Sequence, residues 1–159
     1  MKQKNYQNLT KNNLGKLPVW NLKDLYESPK AKNLNNDLNK LRIITKKFEK
    51  KYTSKIAKIR PDQLLKAIIQ LEDIDTKMDK IMSYAHLLVA EDGNNEKNKI
   101  FYQQMQEQIT NIASSIVFFS LELNEVSEPN LKKIYADKKL ETYKNWIKNI
   151  RKFKPYQLD

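Results

Sequence analysis

Between residues 61 and 123 the apolar positions advance in steps of three and four. The first run carries Leu64, Leu65, Ile68, Leu71, Ile74, Met78, Ile81, Met82, Ala85 and Leu88, a spacing that draws one stripe down an α-helix. The second carries Ile100, Phe101, Met105, Ile109, Ile112, Ala113, Ile116, Val117 and Phe119. One polar break, Glu91-Asp92-Gly93-Asn94-Asn95, separates them, and Gly93 is the expected helix stop. At about 1.5 Å per residue each limb should exceed roughly 40 Å. The pattern predicts a long antiparallel helical hairpin, its second limb running on to residues 124–128.

Shorter patterns flank it. Ser28-Pro29 predicts a helix start, with Ser28 as cap and Pro29 in the first turn. Leu34, Leu38, Leu41, Thr45, Phe48 and Tyr52 then mark one face of a helix that ends near Ser54. Pro61 and Asp62 open the first long limb in the same way. Pro129 opens a short helix with Leu131, Ile134 and Tyr135; a last helix carries Leu140, Tyr143, Trp146, Ile147 and Ile150 and stops at Pro155. Ahead of these, Trp20, Leu22, Leu25 and Tyr26 are expected to dock a single helical turn on the body. The expected fold is all-α: a long antiparallel helical hairpin packed with shorter flanking helices. Residues 1–16 read as a disordered basic tail and 17–159 as one helical domain.

Composition narrows the chemistry. There is no cysteine, which removes disulfides, thiol nucleophiles and thiolate metal sites. The charge is +11, yet only Arg42, Arg60 and Arg151 are arginines among the 30 basic residues. Nucleic-acid grooves favour arginine; lysine along helices mainly keeps them solvated. No apolar run approaches a membrane span, and the tail has no apolar core to serve as a secretory signal. A cytoplasmic protein is the expectation.

Candidate sites are few, and each has a plain structural reading. His86, the only histidine, has Met82, Ser83, Val89 and Ala90 as its helix neighbours, none of them a zinc ligand. Asp75 and Asp79 share a face beside Glu72 and Asp73, but Lys66, Lys77 and Lys80 lie near enough to make solvated ion pairs. The 91–96 break lacks the ligand spacing of a calcium loop. Phe118 and Phe119 point about 100° apart on a helix, so one meets the hairpin and the other a second surface. Glu122, set among apolar residues, is expected to pair with a lysine or reach outward. Basic clusters stand at Lys46, Lys47, Lys50 and Lys51, and at Lys148, Arg151, Lys152 and Lys154, the latter interleaved with Trp146, Phe153 and Tyr156; such mixtures can bind single strands. No His-Glu-x-x-His, phosphate loop or nucleophile elbow occurs. No catalytic, cofactor-binding or metal-binding residue is assigned.

Four segments resemble one family. Leu17-Pro18-Val19-Trp20-Asn21-Leu22-Lys23-Asp24-Leu25-Tyr26 is similar to the opening of oligoendopeptidase F, a zinc oligopeptidase related to thimet oligopeptidase. Tyr84-Ala85-His86-Leu87 followed by Asp92, Phe118-Phe119-Ser120-Leu121-Glu122-Leu123, and Arg151-Lys152-Phe153-Lys154-Pro155-Tyr156-Gln157-Leu158 resemble later stretches in the same order. Tyr156 stands where a histidine is common, with no catalytic meaning attached. The resemblance implies the N-terminal helical domain of a metallopeptidase, which helps wall a peptide channel. The family's zinc-binding His-Glu-x-x-His belongs to a C-terminal part and has no counterpart in residues 1–159. The chain is therefore expected to be a fragment without peptidase activity of its own, from a truncated or split reading frame. It would self-associate through faces left uncovered, or pair with a separately encoded catalytic part. The alternative is a small basic helical module that binds nucleic acid or an acidic protein surface.

Overall fold

A computed structural model describes residues 20–157. The proposed tail at residues 1–16, the Leu17-Pro18-Val19 lead-in and the final Leu158 and Asp159 lie outside the described residues. Among these residues there are α-helices and short 3₁₀ turns and no strand. The α-helices are α1 (Lys32–Tyr52), α2 (Pro61–Glu91), α3 (Glu96–Ser114), α4 (Phe118–Asn124), α5 (Glu128–Ala136) and α6 (Lys144–Arg151). No described helix is long and apolar enough to cross a membrane.

α2 is the central element and packs on α1 along one side and α3 along the other. A central helix needs a wider apolar face than a helix with one neighbour. Ala67 and Tyr84 accordingly join Leu64, Ile68, Leu71, Ile74, Met78, Ile81 and Ala85 in the core, while Leu65, Met82 and Leu88 are half-buried. The predicted α1 face is buried without exception: Leu34, Leu38, Leu41, Thr45, Phe48 and Tyr52. Burying each large aliphatic of this kind contributes about 1.5–3 kcal/mol.

Several expectations are corrected. The second limb is not one helix. α3 ends at Ser114, about 28 Å long at the helical rise, and the chain turns before α4. The Ser114 hydroxyl donates to the Asn111 carbonyl (2.8 Å), and Ser115 and Ile116 N–H groups tighten onto Ile112 and Ala113. Such local bonds compete with the regular ladder. Val117 is left exposed there, as is Ile100 earlier on α3. Gly93 does not adopt a left-handed conformation; Asp92 ends α2 in an extended one, and the Asn95 side chain caps α3 by accepting from Lys97 and Asn98 N–H. Ser28 is not a cap either. Its carbonyl accepts from Ala31 N–H (3.0 Å) in a turn that places the start of α1 beyond Pro29. The last helix begins as a 3₁₀ segment, Lys138–Tyr143, and Pro155 sits inside a further turn, Lys154–Tyr156.

Trp20 is not the expected anchor: it is 60 % exposed, whereas Tyr26 is 1 % exposed. The Tyr26 ring meets Tyr84 edge-on at 5.3 Å, its hydroxyl donates to Asp37 Oδ2 (3.1 Å), and Lys80 Nζ lies 4.5 Å from its ring centre. Burial first, then the Asp37 hydrogen bond and charge, holds its hydroxyl well above the usual tyrosine range. One aromatic with a satisfied polar tip can do what a larger ring without a partner does not.

α1 ends on Ser54, whose φ of 64° lies in the left-handed region that costs a non-glycine residue about 1–2 kcal/mol. Glu122 offsets that cost. Its Oε1 accepts from Ser54 N–H (2.5 Å) and its Oε2 from Ile56 N–H (2.9 Å), so one carboxylate fills a nest of backbone donors. Glu122 therefore pairs with main chain, neither with a lysine nor with solvent. We expect Glu122→Ala to lower stability by about 3 kcal/mol, since two charge-assisted bonds are lost. Adding Ser54→Gly should recover part of the loss; urea unfolding followed by circular dichroism measures both.

Thr45 is 2 % exposed, and its hydroxyl has no hydrogen-bond partner among the described residues. Thr45→Val should raise stability by about 1 kcal/mol by removing a buried unsatisfied group. A lower urea midpoint would show the hydroxyl to be satisfied.

Candidate docking face

Most residues singled out from sequence have structural employment. His86 is exposed on α2, its ring 6.1 Å from that of Tyr102. Asp73 pairs with Lys77, and Glu72 accepts from the Tyr143 hydroxyl at 2.8 Å. Asp75 keeps its carboxyl above the usual range through partial desolvation, and then through the negative charges of Asp79 and Glu72. Among the described residues no three acidic or histidine side chains gather to hold a metal ion. In the interhelical break, Asp92 Oδ1 accepts from Asn94 N–H (3.1 Å) and Asn98 Nδ2 donates to the Leu88 carbonyl (2.9 Å); the break is a turn. Phe118 and Phe119 both lie against Phe48, at 6.0 and 5.8 Å between ring centres. The second surface expected for one of them is the same core.

The C-terminal basic and aromatic cluster is divided by the fold. Of its cations Arg151 turns inward, while Lys148, Lys152 and Lys154 stay exposed. Arg151 Nη1 donates to the carbonyls of Leu123 (2.9 Å), Asn124 (2.9 Å) and Val126 (3.1 Å), and Nη2 meets Glu128 Oε1 at 3.1 Å. These carbonyls are the free acceptors at the C-terminal end of α4, where a cation is favoured. Lys148 Nζ lies 5.8 Å from the centre of the Tyr135 ring, and Lys154 approaches Glu125 at 3.8 Å.

The aromatic residues turn outward. Leu123 and Ile147 are fully buried where α4 meets α6, and Phe119 lies 6.3 Å from Trp146 across that contact. Above it opens a groove of about 430 Å³ walled by Leu121, Trp146, Ile150, Phe153 and Tyr156. Phe153 is 68 % and Tyr156 81 % exposed. Asn124 Nδ2 donates to Gln157 Oε1 (2.9 Å) at one end. The lining holds no carboxylate, imidazole or amine, so the groove can bind an apolar surface but supplies no general acid, base or metal ligand. The cluster was legible in sequence as a mixture; that Arg151 faces in while the aromatics face out was not. Only the α4 carbonyls reveal it.

Against known proteins, the family model described as Oligopeptidase F matches residues 122–159. The match covers two of the four resembling segments in part or whole: it begins at Glu122 and contains the Arg151 stretch. No curated protein and no solved structure matches the chain.

Arg151→Met should cost about 2 kcal/mol or more by leaving three carbonyls and Glu128 without their donor. Because Trp146 shares α6 with Arg151, the substitution should also redshift tryptophan emission. Unchanged stability and emission would show that α6 is held by Ile147 alone.

Proposed function

We propose that this chain is the N-terminal, non-catalytic helical part of an oligoendopeptidase F-type zinc peptidase. The observation that carries the reading is the coincidence of two independent features. The Oligopeptidase F match falls on residues 122–159, and those residues contribute most of the wall of a groove that combines large exposed aromatics with no carboxylate, imidazole or amine. The residues in hand do not suit the family's zinc. His86 has no second nitrogen ligand, since it is the sole histidine, and no acidic pair stands beside it with the tetrahedral set that zinc takes. Metal and general base would come from a separately encoded catalytic part, for which the Trp146, Phe153 and Tyr156 face is the proposed seat. In that role the helices act as a wall and a positioning surface for oligopeptides cut elsewhere.

Self-association is the expected behaviour of the same face without its partner. The nucleic-acid alternative draws on the +11 charge, but Arg151, one of only three arginines, is taken up by carbonyls and Glu128.

The test is a quenched-fluorescent oligopeptide assay with added zinc. The 159-residue chain alone should give no turnover above buffer. Mixed with the His-Glu-x-x-His-bearing catalytic part of an oligoendopeptidase F-type enzyme, it should co-elute on size exclusion and raise turnover. Trp146→Ala with Phe153→Ala should abolish both effects while leaving the circular dichroism spectrum unchanged. Chelator-sensitive turnover by the chain alone, or a steeply salt-dependent gel shift with mixed DNA and RNA in place of co-elution, would overturn the reading.

A further inference from the structure

A second groove lies on the opposite side of the molecule's logic: it is charged where the first is aromatic. α1 and α2 pack as antiparallel neighbours joined by residues 53–60, and α3 contributes nothing to the lining on this side. Between them runs a trough of about 500 Å³ with an aliphatic floor: Ile44, Ile69 and Ile74 beside the edge of Phe48. It shares Lys51 with an adjoining hollow of about 360 Å³ that extends past Lys55 and Lys66. From Ile44 to Tyr52 the trough follows α1 for about 12 Å at the helical rise, a little over two turns, and Lys55 stands just past the helix end. Ile69 on its floor is 51 % exposed.

The walls are cationic. Lys47, Lys51 and Lys55 rise from α1 and its end, and Lys66 from α2. Among the described residues none of the four has a carboxylate within ion-pair distance; Lys51 lies over the Tyr52 ring and Lys55 donates to the Lys51 carbonyl. The one acid in the lining, Asp73, is already paired with Lys77. Five of the described lysines have carboxylate partners, at Asp37, Asp73, Glu96, Glu125 and Glu141; Lys47, Lys51, Lys55 and Lys66 are among the many that have none, and what sets them apart is that they stand together along one apolar trough. An apolar trough with four uncompensated cations along its walls is a complementary half, and its shape and charge specify the other half.

We propose that the α1–α2 trough is the docking site for an amphipathic helix of a protein partner, apolar on the seated face and lined with carboxylates along both flanks. A third helix laid between two antiparallel helices fills the groove by ordinary ridge packing, and helix-in-groove recognition reads apolar anchors at three- and four-residue steps. Charge complementarity decides against the other occupants. A second copy brings the same lysine walls and a further +11, so like charges would face each other. Residues 1–19 carry Lys2, Lys4, Lys11 and Lys16 and no acidic side chain, so they are repelled in the same way. Nucleic acid would meet lysines in place of arginine forks, and the rings in the lining, Phe48 and Tyr52, are buried and leave no face on which a base can stack. This inference stands apart from the peptidase assignment, since no residue of residues 122–159 lines the trough.

The experiment is a fluorescence-anisotropy titration of the full chain with designed helical peptides of about 20 residues, long enough to hold helix when seated. One has a leucine stripe flanked by glutamates; its twin has the same stripe flanked by lysines; an oligothymidine serves as competitor. The glutamate peptide should bind, and weaken as salt rises through the Debye-screening range. The lysine twin and the oligonucleotide should not bind. Ile69→Asp, at an already exposed position, should weaken binding by about tenfold or more. The pair Lys47→Glu and Lys66→Glu should reverse the preference in favour of the lysine twin, a readout that loss of fold cannot produce. Equal binding of both peptides, no binding of the glutamate peptide, indifference to Ile69→Asp, or displacement by the oligonucleotide would each overturn the proposal.

Discussion

One carboxylate joins the two halves of this fold. The α1–α2–α3 layer and the C-terminal α4–α6 layer meet at the turn after α1, where Ser54 is held in a left-handed conformation. Without a glycine there, that turn needs an outside partner for its free N–H groups. Glu122 reaches across from α4 and accepts from both Ser54 and Ile56. The bond does two things at once: it caps a strained helix end and sets where α4, and hence Phe119 and Leu123, enter the core. This contact and the Phe48 cluster around it act with the Asn130–Ile59 and Tyr143–Glu72 hydrogen bonds to place the C-terminal helices on the hairpin. Residue 122 is also where the Oligopeptidase F match begins.

Arg151 provides the complementary lock. It gathers the carbonyls of Leu123, Asn124 and Val126 and thereby ties α6 to the end of α4. The planar guanidinium reaches the carbonyls through Nη1 and the Glu128 carboxylate through Nη2, two sites that a single ammonium nitrogen could not occupy together. Arg42 likewise bridges α1 to Gln108 on α3 at 2.6 Å, whereas Arg60 makes only an exposed local pair with Asp62. Lysine is left mainly to cover the surface. The two grooves are thus chemically distinct, one aromatic and uncharged in its lining, the other aliphatic and cationic.

Where sequence reasoning succeeded, the signal was local and repeated. The apolar steps of α1 and α2, the first-turn proline of α2 and the polar break before α3 each rest on several residues that agree, and the folded chain honours them. Where it failed, one residue had to outvote a pattern. The serines at 114 and 115 break the second limb although the apolar spacing runs through them. Trp20, the larger ring, stays exposed while Tyr26 is buried, because Asp37 and Tyr84 come from elements that sequence distance conceals. Of the docking face, the aromatic and basic composition was legible, but its sidedness was not.

The amino-acid sequence by itself determined the helical class, the hairpin break, the absence of thiol chemistry and the resemblance of its later segments to oligoendopeptidase F. These follow from periodicity, composition and contiguous motifs, all of which are short-range properties of a chain. Tertiary structure alone decided that Glu122 serves the backbone of Ser54 and Ile56, that Arg151 points at carbonyls, and that Lys47 and Lys66 line adjoining hollows between α1 and α2. Those are contacts between residues far apart in sequence, and the energy that selects them arises only when burial removes the water that would otherwise satisfy each group.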